Sequence, residues 1–257
     1  MPDLVIVARQ GGRGNASLVV CLRSGIVWHE LATKEAPARM SKFDLVIFDC
    51  DGVLLDSELI SCRADAEAYT LLGYAITHHE VAMRFAGMPD EAVDATLSSE
   101  IGKPLPPGFR DDIKRDILAK YRNELQAVEG AAALLSSLKT AKCIASSSSP
   151  SKLALGLIET EMFELVYPNV FSTALVERGK PHPDIFLYAA QKMGASPSRC
   201  MVVEDSVAGV TAAKSAGMTC VGFTGGSHCM DGHAERLYAA GADAVVDRHD
   251  GVKSFAE

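Results

Sequence analysis

The stretch Phe43-Asp44-Leu45-Val46-Ile47-Phe48-Asp49-Cys50-Asp51-Gly52-Val53 decides how this chain is read. Leu45 to Phe48 is an unbroken apolar run, the pattern of a strand buried on both faces of a parallel sheet. It ends in two carboxylates two residues apart, Asp49 and Asp51. At a strand end such a pair is aimed in two directions, so one can attack an electrophile while the other handles a proton. Carboxylates attack phosphoryl groups, and they are also the hard oxygen donors that Mg²⁺ prefers. Gly52 suits a backbone that must turn sharply. Asp-x-Asp-Gly alone also occurs in calcium loops and plain turns, so its surroundings must decide.

Those surroundings repeat the pattern. Cys143-Ile144-Ala145 runs into serines, Met201-Val202-Val203 into Glu204-Asp205, and Thr219 to Gly222 and Ala244 to Val246 are further short apolar runs. Helical patterns separate them at Gly130 to Leu138, Asp184 to Met193, Val207 to Ala216 and Gly232 to Ala240. Strands alternating with helices predict an α/β fold, a parallel sheet with helices on both faces. Ser57 to about Leu125 breaks the alternation with helical periodicity alone. Leu59, Cys62, Ala66 and Tyr69 give one apolar face there, and Gly73 suits a helix end. The predicted division is a core of residues 41–56 and 127–257 with an all-α insertion at 57–126.

Three more polar clusters follow the apolar runs. Ser146-Ser147-Ser148-Ser149, before a helix start near Pro150, offers hydroxyls and backbone N–H groups to phosphate oxygens; a Ser/Pro-rich flexible loop is the alternative. Lys180 lies in Arg178-Gly179-Lys180-Pro181-His182-Pro183-Asp184, where prolines stiffen the backbone around a cation; a lysine in an exposed turn is the alternative. His182, between the prolines, reads as structural. Glu204-Asp205-Ser206 can complete a Mg²⁺ site with Asp49, or Asp205 or Ser206 can cap the helix from Val207. All four clusters fall where parallel sheets place their ligand sites, at the C-terminal ends of strands.

Composition limits the partners. A net charge of −8 argues against a broad nucleic-acid surface, though a local cationic site can still bind a small phosphorylated metabolite. No apolar run reaches the ~20 residues of a membrane helix. The seven cysteines are odd in number and form no Cys-x-x-Cys pair, which suits reduced thiols in a cytoplasmic protein better than disulfides or a zinc site. Residues 1–40 differ from the rest. They carry five basic and three acidic residues around Gln10-Gly11-Gly12-Arg13-Gly14, and Arg23 interrupts any signal-peptide core. They read as an extension outside the main fold, with an extra strand packed on the domain as the alternative.

The four clusters in this order resemble the haloacid dehalogenase superfamily of phosphohydrolases, in the branch with a helical cap between the first two motifs, which also holds the beta-phosphoglucomutases. The resemblance covers about residues 43 to 248. It implies a Rossmann-like core, a mobile cap at about 57–126, and an aspartyl-phosphate mechanism dependent on Mg²⁺. Asp49 would match the nucleophile, and Asp51 the general acid/base with its backbone carbonyl on the metal. Ser146, with Ser147 beside it, and Lys180 would bind phosphate, and Asp205 with Glu204 would complete the metal ligands. Asp51 argues against a dehalogenase, since the family's dehalogenases lack the second aspartate.

Within the branch, the resemblance implies that mutases carry a cap His and an Arg just after a Gly. An ungapped match from Asp49 puts Ser61 and Asp90 there, with Gly87 as the glycine. Neither side chain can replace its counterpart, so phosphatase is expected over mutase. Asp56-Ser57-Glu58-Leu59-Ile60-Ser61-Cys62-Arg63 is similar to the branch's sugar- and sugar-acid-phosphate phosphatases. The expected substrate is therefore a sugar, polyol or sugar-acid phosphate such as 6-phosphogluconate. Arg63, or more weakly Arg84, would face its anionic part; a surface arginine on the cap helix is the alternative. A monomer or small homo-oligomer is expected.

Overall fold

The central strands of the parallel sheet are buried on both faces, and their residues alternate between two helical layers. The computed structural model describes residues 5–9, 17–21, 42–85, 88 and 90–257, which divide into a unit up to Met40 and a second from Ser41. In the first, β1 (Val5–Arg9) and β2 (Ser17–Cys21) pair antiparallel with Val7 opposite Val19. In the second, β3 (Leu45–Phe48), β4 (Ala141–Ser146), β5 (Val170–Ser172), β6 (Cys200–Glu204), β7 (Thr219–Phe223) and β8 (Ala244–Val246) form one parallel sheet in the order β5-β4-β3-β6-β7-β8. Val46 and Phe48 face α5 (Ala131–Ser137), α6 (Pro150–Glu159), the short α7 (Phe163–Val166) and α11 (His249–Ala256). Leu45 and Ile47 face α8 (Asp184–Met193), α9 (Val207–Ser215) and α10 (His233–Ala239). The chain leaves β3 towards β4 and β5 on one side, then returns to β6, β7 and β8 on the other. That reversal opens a crevice at the C-terminal end of β3, where Asp49 stands.

The helical insertion follows β3 directly: α1 (Glu58–Leu71), α2 (His78–Phe85), α3 (Asp90–Ile101) and α4 (Phe109–Glu124). It has its own core, in which Ala66, Tyr69, Val81, Phe85, Val93, Leu97, Phe109 and Ile113 pack together. The fold is thus a Rossmann-like parallel sheet with an all-α cap. Its two connecting segments run side by side, with Asp56 N donating to Gln126 O (2.9 Å) and Val128 N to Leu54 O (2.9 Å). The predicted apolar face of α1 needs correction. Ile60, Ala64, Ala66 and Tyr69 are buried, whereas Leu59 and Cys62 are only partly so. The helix serves two surfaces, and Glu58, Ser61, Cys62, Asp65 and Tyr69 border an open cleft. Gly73, at φ +91°, follows the helix end as expected. Gly87 lies outside the described residues. Cys50, Cys62, Cys143, Cys200, Cys220 and Cys229 are free thiols, four of them buried. Among the described residues no helix is long and apolar enough to cross a membrane.

Candidate active site

The end of β3 turns at Gly52, and the turn leaves no room for a side chain. Its φ is +74°, and a Cβ there would lie 2.0 Å from Asp205 Oδ2 and 2.7 Å from His228 Cε1. Only glycine lets the first loop pass this close to the loop after β6. The result brings together groups far apart in sequence. Lys180 Nζ donates to Asp49 Oδ1 and to Glu204 Oε1, both at 2.6 Å, and all three side chains are buried or nearly so. Carboxylate oxygens of Asp49, Glu204 and Asp205 all lie within 4.8 Å of one another. Ser206, whose Oγ accepts from Gly209 N (3.0 Å), caps α9 and donates to Glu204 Oε2 (2.9 Å). The capping role anticipated for this cluster thus falls to Ser206, and both acids keep their place at the rim.

Asp51 points the other way, because the chain has left β3 at Phe48 and is already turning into Gly52. Its carboxylate accepts from Ser57 Oγ and Ser148 Oγ (2.5 Å each) and from Tyr121 OH (3.2 Å), and Lys152 Nζ lies 3.2 Å away. These surroundings split the two aspartates. Burial, with the carboxylates of Glu204, Asp205 and Asp51, pushes Asp49 well above the usual carboxylate range against the pull of Lys180. Burial acts the same way on Asp51, but the charge of Lys152 and the bonds from Ser148 and Ser57 overcome it and hold the group down to about 2. Lys180 stays cationic: burial works against the charge, and Asp49 and Glu204 more than offset it. Lys180 thus pairs with Asp49 and Glu204, and Asp205 pairs with His228. Three carboxylates crowded together in this way offer hard oxygen donors that fit a divalent cation, so this cluster could hold one.

A cleft of about 780 Å³ adjoins the cluster between cap and core. Cap residues Glu58, Ser61, Asp65, Asp90 and Arg110 line one side, and His228, His233 and Arg236 the other. His228 joins cleft to cluster, with Nε2 2.9 Å from Asp205 Oδ2. Burial raises the Glu58 carboxyl to about 7, helped by Asp51 and Asp205 and opposed by Lys152. It raises Asp65 to about 6 against Arg110.

The pattern of the haloacid dehalogenase-like hydrolases matches residues 43–217, which includes every member of the acidic cluster. The chain belongs to the haloacid dehalogenase-like hydrolases. It is an enzyme of that family, of the phosphatase kind. The 6-phosphogluconate phosphatase of Escherichia coli (strain K12) is 33% identical over 195 residues, 76% of this chain and 86% of that one. A crystal structure of a conserved haloacid dehalogenase-like protein from Agrobacterium tumefaciens is similar with a TM-score of 0.75 and 39% identity, covering 82% of this chain and 96% of that chain. A hydrolase of the same family from Deinococcus radiodurans, crystallised with bound phosphate and sodium, gives a TM-score of 0.68 and 34% identity over 83% of this chain and 94% of that one.

In this hydrolase the residues singled out from sequence divide clearly. Asp49, Lys180, Glu204 and Asp205 converge, with Asp51 turned towards the cap. Ser146 is buried at the end of β4, its Oγ accepting from Ser148 N (3.0 Å), while Ser147 is exposed. Arg63 is not brought to the site. It is half-exposed, pairs with Glu124, and does not border the cleft. Arg84 likewise pairs with Glu100. On the cap side the guanidinium bordering the cleft is Arg110, held by Asp94 and near Asp65. Sequence reading missed Ser148, Lys152, Tyr121 and His228. Ser148 stands just before the cap residue of α6 and Lys152 in its first turn, so the serine run ahead of Pro150 was the available signal. The pair Gly225-Gly226 marks a close backbone approach just before His228: a Cβ on Gly226 would meet Gly52 O at 2.7 Å. Tyr121, on the last cap helix, has no local signal.

Proposed function

We propose that this hydrolase is a Mg²⁺-dependent phosphatase that cleaves a sugar, polyol or sugar-acid phosphate through an aspartyl-phosphate. The observation that carries the reading is the bridge made by Lys180 between Asp49 and Glu204, 2.6 Å on each side, beside Asp205. Asp49, Glu204 and Asp205, with the main-chain carbonyl of Asp51, would hold the cation. Bound there, Mg²⁺ offsets the negative charge shared by the carboxylates and an incoming phosphate. Asp49 Oδ attacks phosphorus, and the bond from phosphorus to the ester oxygen breaks. A protonated Asp51 gives its proton to the leaving alkoxide, and the resulting carboxylate takes one from the water that opens the aspartyl-phosphate. Lys180 steadies charge on the transferring group, and Ser146 with the backbone after it receives the phosphate oxygens.

The cleft supports the substrate class. Its size suits a small metabolite, and its mix of Glu58, Asp65, Asp90, Arg110 and His233 suits a polyhydroxylated, anionic one. The Escherichia coli relative's name points the same way. Ser61 and Asp90 both border the cleft, which favours hydrolysis over transfer to a second phosphate position, since Asp90 would repel that phosphate. Phosphate release from a panel of sugar, polyol and sugar-acid phosphates with Mg²⁺ tests the reading. Asp49→Asn and EDTA are each expected to abolish turnover. Isomer interconversion without free phosphate, or full activity in Asp49→Asn, would refute it.

A further inference from the structure

His228, Cys229 and His233 bring one imidazole nitrogen, one sulfur and a second imidazole nitrogen within 4.8 Å of one another. These groups come from the loop after β7 and the first residue of α10, and the proposed phosphatase chemistry uses none of their donor atoms as ligands. The cysteine pattern alone gave no hint of a metal, because the two partners are histidines. The cluster is half-buried at the cleft wall, so an ion can reach it.

The ligands are already oriented. The His228 ring is wedged against backbone: a Cβ on Gly226 would lie 2.8 Å from its Cε1 and Nδ1, and one on Gly52 2.7 Å from Cε1. Its Nε2 sits 3.4 Å from Cys229 Sγ and 2.9 Å from Asp205 Oδ2, and its buried Nδ1 has no hydrogen-bond partner. His233 Nε2 donates to Asp205 O at 2.6 Å, which fixes that ring, and its Nδ1 accepts from Arg236 Nη2 (3.0 Å), a bond that a metal ion would replace. An imidazole held by a backbone carbonyl on one nitrogen is the usual arrangement of a histidine that binds metal through the other.

We propose that His228, Cys229 and His233 form a second metal site, selective for an ion of the zinc class and separate from the carboxylate cluster. Ligand chemistry sets the selectivity. Sulfur and imidazole suit Zn²⁺ and Co²⁺, whereas Mg²⁺ prefers the oxygens of Asp49, Glu204 and Asp205. Three protein ligands leave a fourth position for water. Binding replaces the thiol proton of Cys229 and the proton that His228 shares with Asp205, and both leave to solvent. The His228–Asp205 hydrogen bond is lost in the process, so occupancy alters the phosphatase site and depresses turnover.

Cobalt titration of the full chain in excess Mg²⁺ tests the site independently of activity. A thiolate-to-cobalt charge-transfer band saturating at one ion per chain is expected, and Zn²⁺ should displace it. The band should vanish in Cys229→Ser and persist in Asp49→Asn. Zn²⁺ affinity measured by competition should fall by at least about tenfold in Cys229→Ser and in His233→Ala. In Mg²⁺-supported assays, Zn²⁺ should inhibit the parent more than Cys229→Ser. No band in the parent, a band that survives Cys229→Ser, or one lost in Asp49→Asn overturns the second site. Equal inhibition of parent and Cys229→Ser overturns its coupling to turnover.

Discussion

Lys152 does for Asp51 what Lys180 does for Asp49, but with a different balance. Asp51 has one lysine and three hydroxyls to itself, and its pKa is held near 2. Asp49 shares its lysine with Glu204 and stays high. An ionised Asp51 suits the step that takes a proton from water, whereas donating to the leaving oxygen requires that the hold of Lys152 be relaxed. Lys152→Met should therefore raise the Asp51 pKa. The sign follows from linkage. A depressed carboxylate stabilises the fold above its unfolded pKa, and that stability is lost as pH falls from about 4 towards 2. With Lys152 gone, the loss should set in at higher pH. Because Asp51 must be protonated to release the alkoxide, the alkaline limb of the kcat/KM profile should move up as well. An alkaline limb that stays in place would show that Lys152 does not set this proton.

At the scale of an element, α6 is the piece that ties sheet, cap connection and Asp51 together. It starts where the sequence indicated, with Ser149 Oγ accepting from Lys152 N (3.3 Å) and Pro150 in the first turn. Gly156 lies in its middle, and a Cβ there would meet Leu55 Cδ1 at 2.5 Å and Leu125 Cδ2 at 3.5 Å, on the two segments that lead to the cap. Two effects oppose each other in Gly156→Ala. Helix propensity gains about 1 kcal/mol, and overpacking costs about 1–3 kcal/mol. Overpacking should win, giving a net loss of about 0–2 kcal/mol by denaturant unfolding; a clear gain would mean that Leu55 moves aside freely. Other elements show why sequence reading succeeded or failed. Five sheet strands were legible as short apolar runs, most clearly β3 and β6, which are buried on both faces and end in acids. β5 was not, since only three residues long it buries only Ser172, whose Oγ donates to Ser148 O (2.6 Å). The face of α1 was misread because it packs on the cap core and also borders the cleft, so no single stripe describes it. Arg63 followed from the same cause: spacing puts it on the helix that borders the cleft, and only the partner Glu124, sixty-one residues on, turns it away.

For the whole molecule, the carboxylate cluster makes stability depend on the cation. Folding without metal buries Asp49, Glu204 and Asp205 against Lys180 and His228. Asp49, whose folded pKa lies above its ordinary value, favours the folded state only while it can keep its proton. In EDTA, stability should therefore fall as pH rises through the ordinary carboxylate range and beyond it, the opposite of the Asp51 trend. A divalent cation that binds only the folded cluster removes that penalty, because the ionised form becomes the one held. Mg²⁺ at about a hundred times its Kd should add roughly 2.7 kcal/mol, a rise in Tm of roughly 5–10 °C for a unit of this size. The gain should be larger at pH 8 than at pH 5, and it should shrink in Asp205→Asn. Calorimetry with and without Mg²⁺ at the two pH values measures all three. If Tm responds equally at both pH values, the three carboxylates do not share one ion.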